Sequence, residues 1–161
     1  MFMQLLGQDG MNFEFQVFRV LDQEFPVSVH ACDGWLITGS KFAAYGPEPW
    51  IPALKVFIQG IVAADLPLVG ICFGHQIIAE ALGGRVEKSE KGWGLGFDTY
   101  RLDRELAASQ PEQITLNIFH QDQVIDLPAG ARVYASSDFC ENAGMFIGDR
   151  IMTIQGHPEF K

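Results

Sequence analysis

The segment Gly70-Ile71-Cys72-Phe73-Gly74-His75-Gln76 sets a cysteine between two glycines, each two positions away. An apolar run, Leu68 to Cys72, leads into it, and a helical pattern follows at once. A buried strand that turns sharply into a helix at this spacing has the form of a nucleophile elbow. The flanking glycines let the backbone fold tightly and leave the central side chain standing above the sheet edge. Placement at a helix N-terminus also favours a thiolate, through the positive end of the helix dipole. Both effects suit Cys72 to nucleophilic chemistry. Taken alone, a cysteine at a strand end reads equally well as a small buried hydrophobe.

A thiol nucleophile needs a base to take and return its proton, and the base needs an acceptor to orient it. Gln155-Gly156-His157-Pro158-Glu159-Phe160 offers both. His157 and Glu159, two apart in an extended segment, point to the same side, and Pro158 restricts the backbone between them. The carboxylate can then fix the imidazole tautomer through one ring nitrogen and leave the other for the thiol. A His-Pro-Glu alone is commonly an exposed loop. Together with the cysteine elbow it becomes a candidate catalytic set of Cys72, His157 and Glu159.

The elements that must position these residues are readable from periodicity. Rough alternation from Asn12 to Val20 predicts a strand, preceded by Gly7 and Gly10 as punctuation. Trp35 to Thr38, between Asp33-Gly34 and Gly39-Ser40, predicts a short buried strand emptying into a tight turn. Pro47 to Pro52 introduce a helix over Trp50 to Ala64, with apolar residues at spacings of three and four. Leu68 to Cys72 lacks alternation, as expected of a central parallel strand covered on both faces. A helix over His75 to Leu82 follows and stops at Gly83-Gly84, a pair that closes a helix instead of opening a phosphate loop. Alternating strands and helices make this an α/β chain. The second half is β-rich, with short strands over Ile114 to Phe119, Ala131 to Ser136, Ala143 to Ile147 and Ile151 to Gln155.

Composition bounds the reading further. The chain has 161 residues, 48% of them hydrophobic and 19% charged, with a formal net charge of −9. Its length predicts one domain, residues 1–161, with enough apolar surface to pack a core. The acidic balance argues against a nucleic-acid surface, whose affinity comes from Lys and Arg. Cys32, Cys72 and Cys140 are an odd number without CxxC spacing, which suggests neither a disulfide framework nor a thiolate metal site and fits a reducing, cytoplasmic compartment. No apolar run approaches the length of a membrane helix. Cys32, Cys140 and His30 read as structural, and His75 as a packing or capping residue.

In combination these motifs resemble those of class I (triad) glutamine amidotransferases, in particular the free-standing GMP synthase-like subgroup. GICFGHQ resembles the nucleophile motif and QGHPEF the His-x-Glu motif. DGWLITGS is similar to the family's strand and oxyanion turn, KGWGLG to its Gly-Trp segment and FHQDQV to its His-Gly-Asp-x-Val stretch. The matches run in family order from Asp33 to Phe160. The resemblance implies a flavodoxin-like three-layer α/β/α sandwich with a mostly parallel sheet, lacking the first strand and the closing C-terminal helix. On this reading the chain is a fragment at both ends, starting within the first helix and stopping at Lys161, and poorly soluble or weakly active alone.

The resemblance also implies roles. Cys72 attacks the carboxamide of glutamine, His157 protonates departing ammonia and then activates water, and Glu159 orients His157. Backbone N–H groups of Phe73 and of the Gly39-Ser40 turn hold the oxyanion. Gln76 lines the glutamine pocket, as does backbone around Phe119 and His120. Phe119, in place of a small polar residue, and Gln121, in place of glycine, depart from the family pattern. No metal or other cofactor is implied. Three readings stay open. One is a glutaminase component that passes ammonia to a separate synthase or acceptor subunit. Another is a peptidase acting on γ-glutamyl peptides or glutathione adducts, and the third is a non-catalytic module that keeps the fold.

Overall fold

A computed structural model describes residues 1–7 and 12–160. Gly10 and Lys161 lie outside the described residues. Helix α1 (Phe2–Leu6) is followed by single 3-10 turns at Val20–Asp22 and Val29–Ala31. Then come β1 (Trp35–Ile37), α2 (Trp50–Ala63), β2 (Leu68–Ile71) and α3 (Phe73–Ala81). The remainder is strand: β3 (Arg85–Lys88), β4 (Gly94–Leu102), β5 (Gln113–His120), β6 (Asp122–Asp126), β7 (Ala131–Ser136), β8 (Gly144–Ile147) and β9 (Ile151–Ile154).

Seven strands form one sheet in the order β1-β2-β9-β8-β7-β4-β5, while β3 and β6 pair separately. The α/β, flavodoxin-like class holds. Parallel pairing runs through β1, β2 and β9. The pairs from β9 outward through β8, β7, β4 and β5 are antiparallel. The division follows the connections: a parallel pair needs a crossover such as α2 between β1 and β2, whereas the short links joining β7, β8 and β9 permit only hairpin geometry.

Asn12 to Arg19 does not form the strand that its alternation predicts, and has no regular structure. Its apolar side chains Phe13 and Val17 are exposed, so the pattern has neither a ladder nor a core to face. Strands β3, β4 and β6 lack an apolar run of their own, and periodicity does not reveal them. Gly94 and Gly96 interrupt β4, and charged residues dominate β3.

One face of the parallel half packs on α2 and α3. Trp50, Ile51, Leu54, Ile58 and Ile61 of α2 and Ile77 and Ile78 of α3 enclose a core with Leu68 and Ile151. Pro52 falls in the first turn of α2, where a missing N–H costs nothing. Across the other face Leu36, Val69, Met152 and Phe146 lie side by side on β1, β2, β9 and β8. Val69 is 36% and Met152 41% exposed, so the expected cover on both faces of β2 is incomplete there among the described residues.

The sheet also curls. Asn117 of β5, the last strand in order, bridges to His157, just beyond β9, the third in order. The joint that permits this is short: β4 and β7 pair only at Arg101↔Ser136 and Leu102↔Ala135.

Candidate active site

The chain turns from β2 into α3 at Cys72, whose φ of 53° and ψ of −104° lie where residues other than glycine are rarely found. The flanking glycines are required by space. A Cβ at Gly70 would sit 2.6 Å from Ile78 Cδ1, and one at Gly74 would run into the Ile37 carbonyl. The elbow read from the sequence is therefore present, with α3 drawn tightly onto β1 and β2. Its backbone is tied down on both sides, Cys72 N donating to Ile154 O (2.9 Å) and Gln76 N donating to Cys72 O (3.2 Å).

Cys72 is not exposed as the elbow geometry suggested; its relative accessibility is 6%. Burial reverses the expected effect of the helix dipole. The Phe73 N–H and the Gln155 side chain favour the thiolate, but desolvation outweighs them and pushes the thiol up to about 11. At neutral pH the sulfur is protonated, and nucleophilic attack requires its proton to be removed.

His157 is buried, and its backbone N–H donates to Asn117 O at 2.8 Å. Its Nδ1 lies 2.7 Å from Glu159 Oε1, and Phe160 stacks on the ring at 4.5 Å between centroids. Gly39 lies close to both the imidazole and Cys72. A Cβ there would be 3.2 Å from His157 Cε1 and 3.7 Å from Cys72 Cβ. The turn after β1 thus brings its backbone against both groups. Among the described residues the side-chain hydrogen bond to the thiol comes from Gln155 Nε2, at 3.5 Å, and not from His157.

The other predicted residues divide. Gln76 and His120 are buried and meet at one backbone oxygen, Asp122 O, which lies 2.9 Å from Gln76 Nε2 and 3.1 Å from His120 Nδ1. Because that oxygen only accepts, His120 carries its proton on Nδ1. Burial pulls His120 below the usual imidazole range. The Phe119 side chain stands apart, 63% exposed and packed against Trp93. Ser40 Oγ accepts from Phe42 N within the turn after β1. His75 packs as expected, with no exposure and Nδ1 2.7 Å from Thr153 Oγ1. Sequence reasoning misses Gln155 as a site residue; its place at the end of an apolar strand, two residues before His157, is the signal available. Among the described residues no group of three or more His, Cys, Asp or Glu could hold a metal, and no helix is long and apolar enough to cross a membrane.

A family model for class-I glutamine amidotransferases matches residues 11–161. The chain belongs to the class-I glutamine amidotransferase family. Gamma-glutamyl peptidase 3 of Arabidopsis thaliana is 34% identical over 170 residues, an alignment covering 99% of this chain and 67% of that protein. The glutamine-hydrolysing GMP synthase of Dehalococcoides mccartyi is 35% identical over 130 residues, covering 78% of this chain and 23% of that protein. The crystal structure of a glutamine amido transferase from Methylobacillus flagellatus superposes with a TM-score of 0.89 at 26% identity, over 99% of this chain and 65% of that one. The chain also spans 63% of a Saccharomyces cerevisiae relative that is 38% identical to it. The chain therefore spans about two thirds of the length of the relatives that match it nearly end to end. Within this class-I amidotransferase fold the elbow, the imidazole–carboxylate pair and the turn after β1 converge at the carboxyl ends of the parallel strands, where ligands bind in open α/β sheets.

Proposed function

We propose that this amidotransferase domain hydrolyses the γ-amide of glutamine through a thioester on Cys72, with His157 as base and acid and Glu159 as its orienting partner. The observation that carries the reading is the strained Cys72 elbow set near a buried imidazole that is itself held by a carboxylate, with Gly39 against both. The Cys72 sulfur attacks the amide carbon as His157 takes the thiol proton. The tetrahedral oxyanion is received by the Phe73 N–H and the Gly39-Ser40 turn. His157 then protonates the departing nitrogen, the C–N bond breaks and ammonia leaves. Water, deprotonated by His157, attacks the thioester and releases glutamate and the thiol. Gln76 and the backbone around Phe119 and His120 line the substrate pocket in this reading.

The ammonia is free product or passes to a separate synthase or acceptor protein. The second course is supported by the likeness to a GMP synthase, of which this chain matches 23%. A second reading, cleavage of γ-glutamyl peptides by the same steps with an amine leaving group, is favoured by the likeness to gamma-glutamyl peptidase 3 along the whole chain. Incubation with glutamine and with γ-glutamyl peptides, following glutamate release and acid-trapping of the thioester, tests both. Turnover of glutamine alone supports the first reading, and turnover of peptides supports the second. Equal glutamate release by the parent chain and Cys72→Ala would refute both and leave a non-catalytic module.

A further inference from the structure

Gln155 has no exposed surface. Its backbone N–H is fixed to Ala143 O at 2.7 Å, and its side chain joins two other groups. Nε2 donates to Cys72 Sγ at 3.5 Å, and Oε1 accepts from Gln76 Nε2 at 3.0 Å. Gln76 Nε2 gives its other hydrogen to Asp122 O at 2.9 Å. A backbone carbonyl can only accept, so it determines which end of the Gln76 amide faces it. The same nitrogen then faces Gln155, which must answer with its oxygen and turn its own nitrogen toward sulfur. Reversing Gln155 would set two N–H groups against each other in a buried space and leave both unsatisfied.

We propose that Gln155 is a positioning residue for the nucleophile, holding Cys72 Sγ by an N–H···S hydrogen bond whose direction is set by the Asp122 carbonyl through Gln76. The inference rests on the reading of Cys72 as the nucleophile. A sulfur that accepts from Gln155 has its lone pair engaged on that side and its S–H free to point elsewhere, including toward the imidazole that shares Gly39 as a neighbour. The donor strengthens its hold as negative charge develops on sulfur, and being neutral it adds no buried charge. Gln76 thereby supports the thiol as well as lining the pocket.

The test is the pH dependence of Cys72 alkylation by iodoacetamide in the full 161-residue chain, followed on the Cys72 peptide by mass spectrometry. Gln155→Leu removes the donor and is expected to slow alkylation about tenfold at fixed pH, the profile moving to higher pH. Gln155→Glu keeps the shape and the bond from Gln76, but once ionised sets a carboxylate against the sulfur. Its profile is expected to move further than that of Gln155→Leu. Profiles of both folded variants that overlay the parent's, or that shift equally, would overturn the proposal, because loss of packing alone does not distinguish leucine from glutamate in this way. If Gln155→Leu does not fold, the near-isosteric glutamate variant decides on its own. Alkylation needs no turnover: a chain that hydrolyses nothing yet shows the shifts refutes the enzymatic reading alone, and one that turns over normally without them refutes the relay alone.

Discussion

The Glu159 carboxylate meets the His157 imidazole at 2.7 Å, in the interior and only two residues along the chain. The chain turns at Pro158 and Glu159 instead of running on extended as the sequence predicts, and this turn brings the carboxylate back to the ring, so the orientation of the ring is set locally. Its position in space is set from outside, by the Asn117 carbonyl. Orientation and placement of the imidazole are thus separate, and they can be perturbed separately.

Glu159→Gln should leave the fold intact and reduce glutamate release by about 10²–10⁴-fold, because an amide can present its NH2 to Nδ1 and stabilise the wrong tautomer. The effect should fall on kcat with little change in KM. Steady-state kinetics with glutamine and with a γ-glutamyl peptide check it, and a variant as fast as the parent would remove Glu159 from the mechanism.

Gly74→Ala sets two effects in opposition. Alanine gains about 1 kcal/mol of helix propensity in α3, while its Cβ would press on the Ile37 carbonyl, 2.8 Å from the carbonyl carbon. Overpacking against backbone costs about 2–3 kcal/mol or more, so net destabilisation is expected. Gly83→Ala, at φ +89° with open space around it, should cost about 1 kcal/mol through backbone strain alone. Urea midpoints rank the two, and a neutral Gly74→Ala would contradict the tight approach of α3 to β1.

Acid should unfold the protein partly through His75. Burial lowers it from 6.5 to about 3, so between those values the folded state binds fewer protons than the unfolded chain. Stability from this source is complete above 6.5 and falls as pH drops toward 3. His120 is displaced in the same direction. His75→Gln should flatten, without abolishing, the decline in urea midpoint between neutral pH and mild acid.

The alkaline limb carries the opposite sign. Cys72 is raised from 9.0 to about 11, so its contribution is complete below 9.0 and is lost as pH climbs toward 11. Cys140, raised to about 12 by its own burial, adds to the decline. Cys72→Ala should therefore lose less stability than the parent across this range. Equal alkaline slopes would mean that the thiol is more hydrated than its 6% exposure implies.

The parts of the fold legible in the sequence are those where local sterics and burial act together. The turn at Cys72 could be read because only glycine fits at Gly70 and Gly74. Helix α2 could be read because its apolar residues face a single core. The run from Asn12 misled because alternation reports a half-buried surface, and the structure gives that segment no partner strand. In the site, the pairing of His157 with Glu159 was legible from their closeness in sequence, although a turn at Pro158 and not an extended segment brings them together. The state of the Cys72 thiol did not, since the depth of burial depends on how β9 and α3 close around it. Nor did the role of Gln155, whose hydrogen-bond direction is decided by a carbonyl on β6.

The curl of the sheet has a mechanical side. Cys72 stands at the end of β2, one strand in from the edge of the sheet, while His157, just past β9, is also tied to the opposite edge strand β5 by a single bridge at Asn117. The setting of the imidazole beside the thiol therefore depends on the roll of the sheet as well as on β9, and the two-pair seam between β4 and β7 is the hinge of that clasp. A change at Arg101 or Ser136, remote in sequence from both reacting groups, would open or tighten the clasp and alter proton transfer without altering any atom that takes part in it.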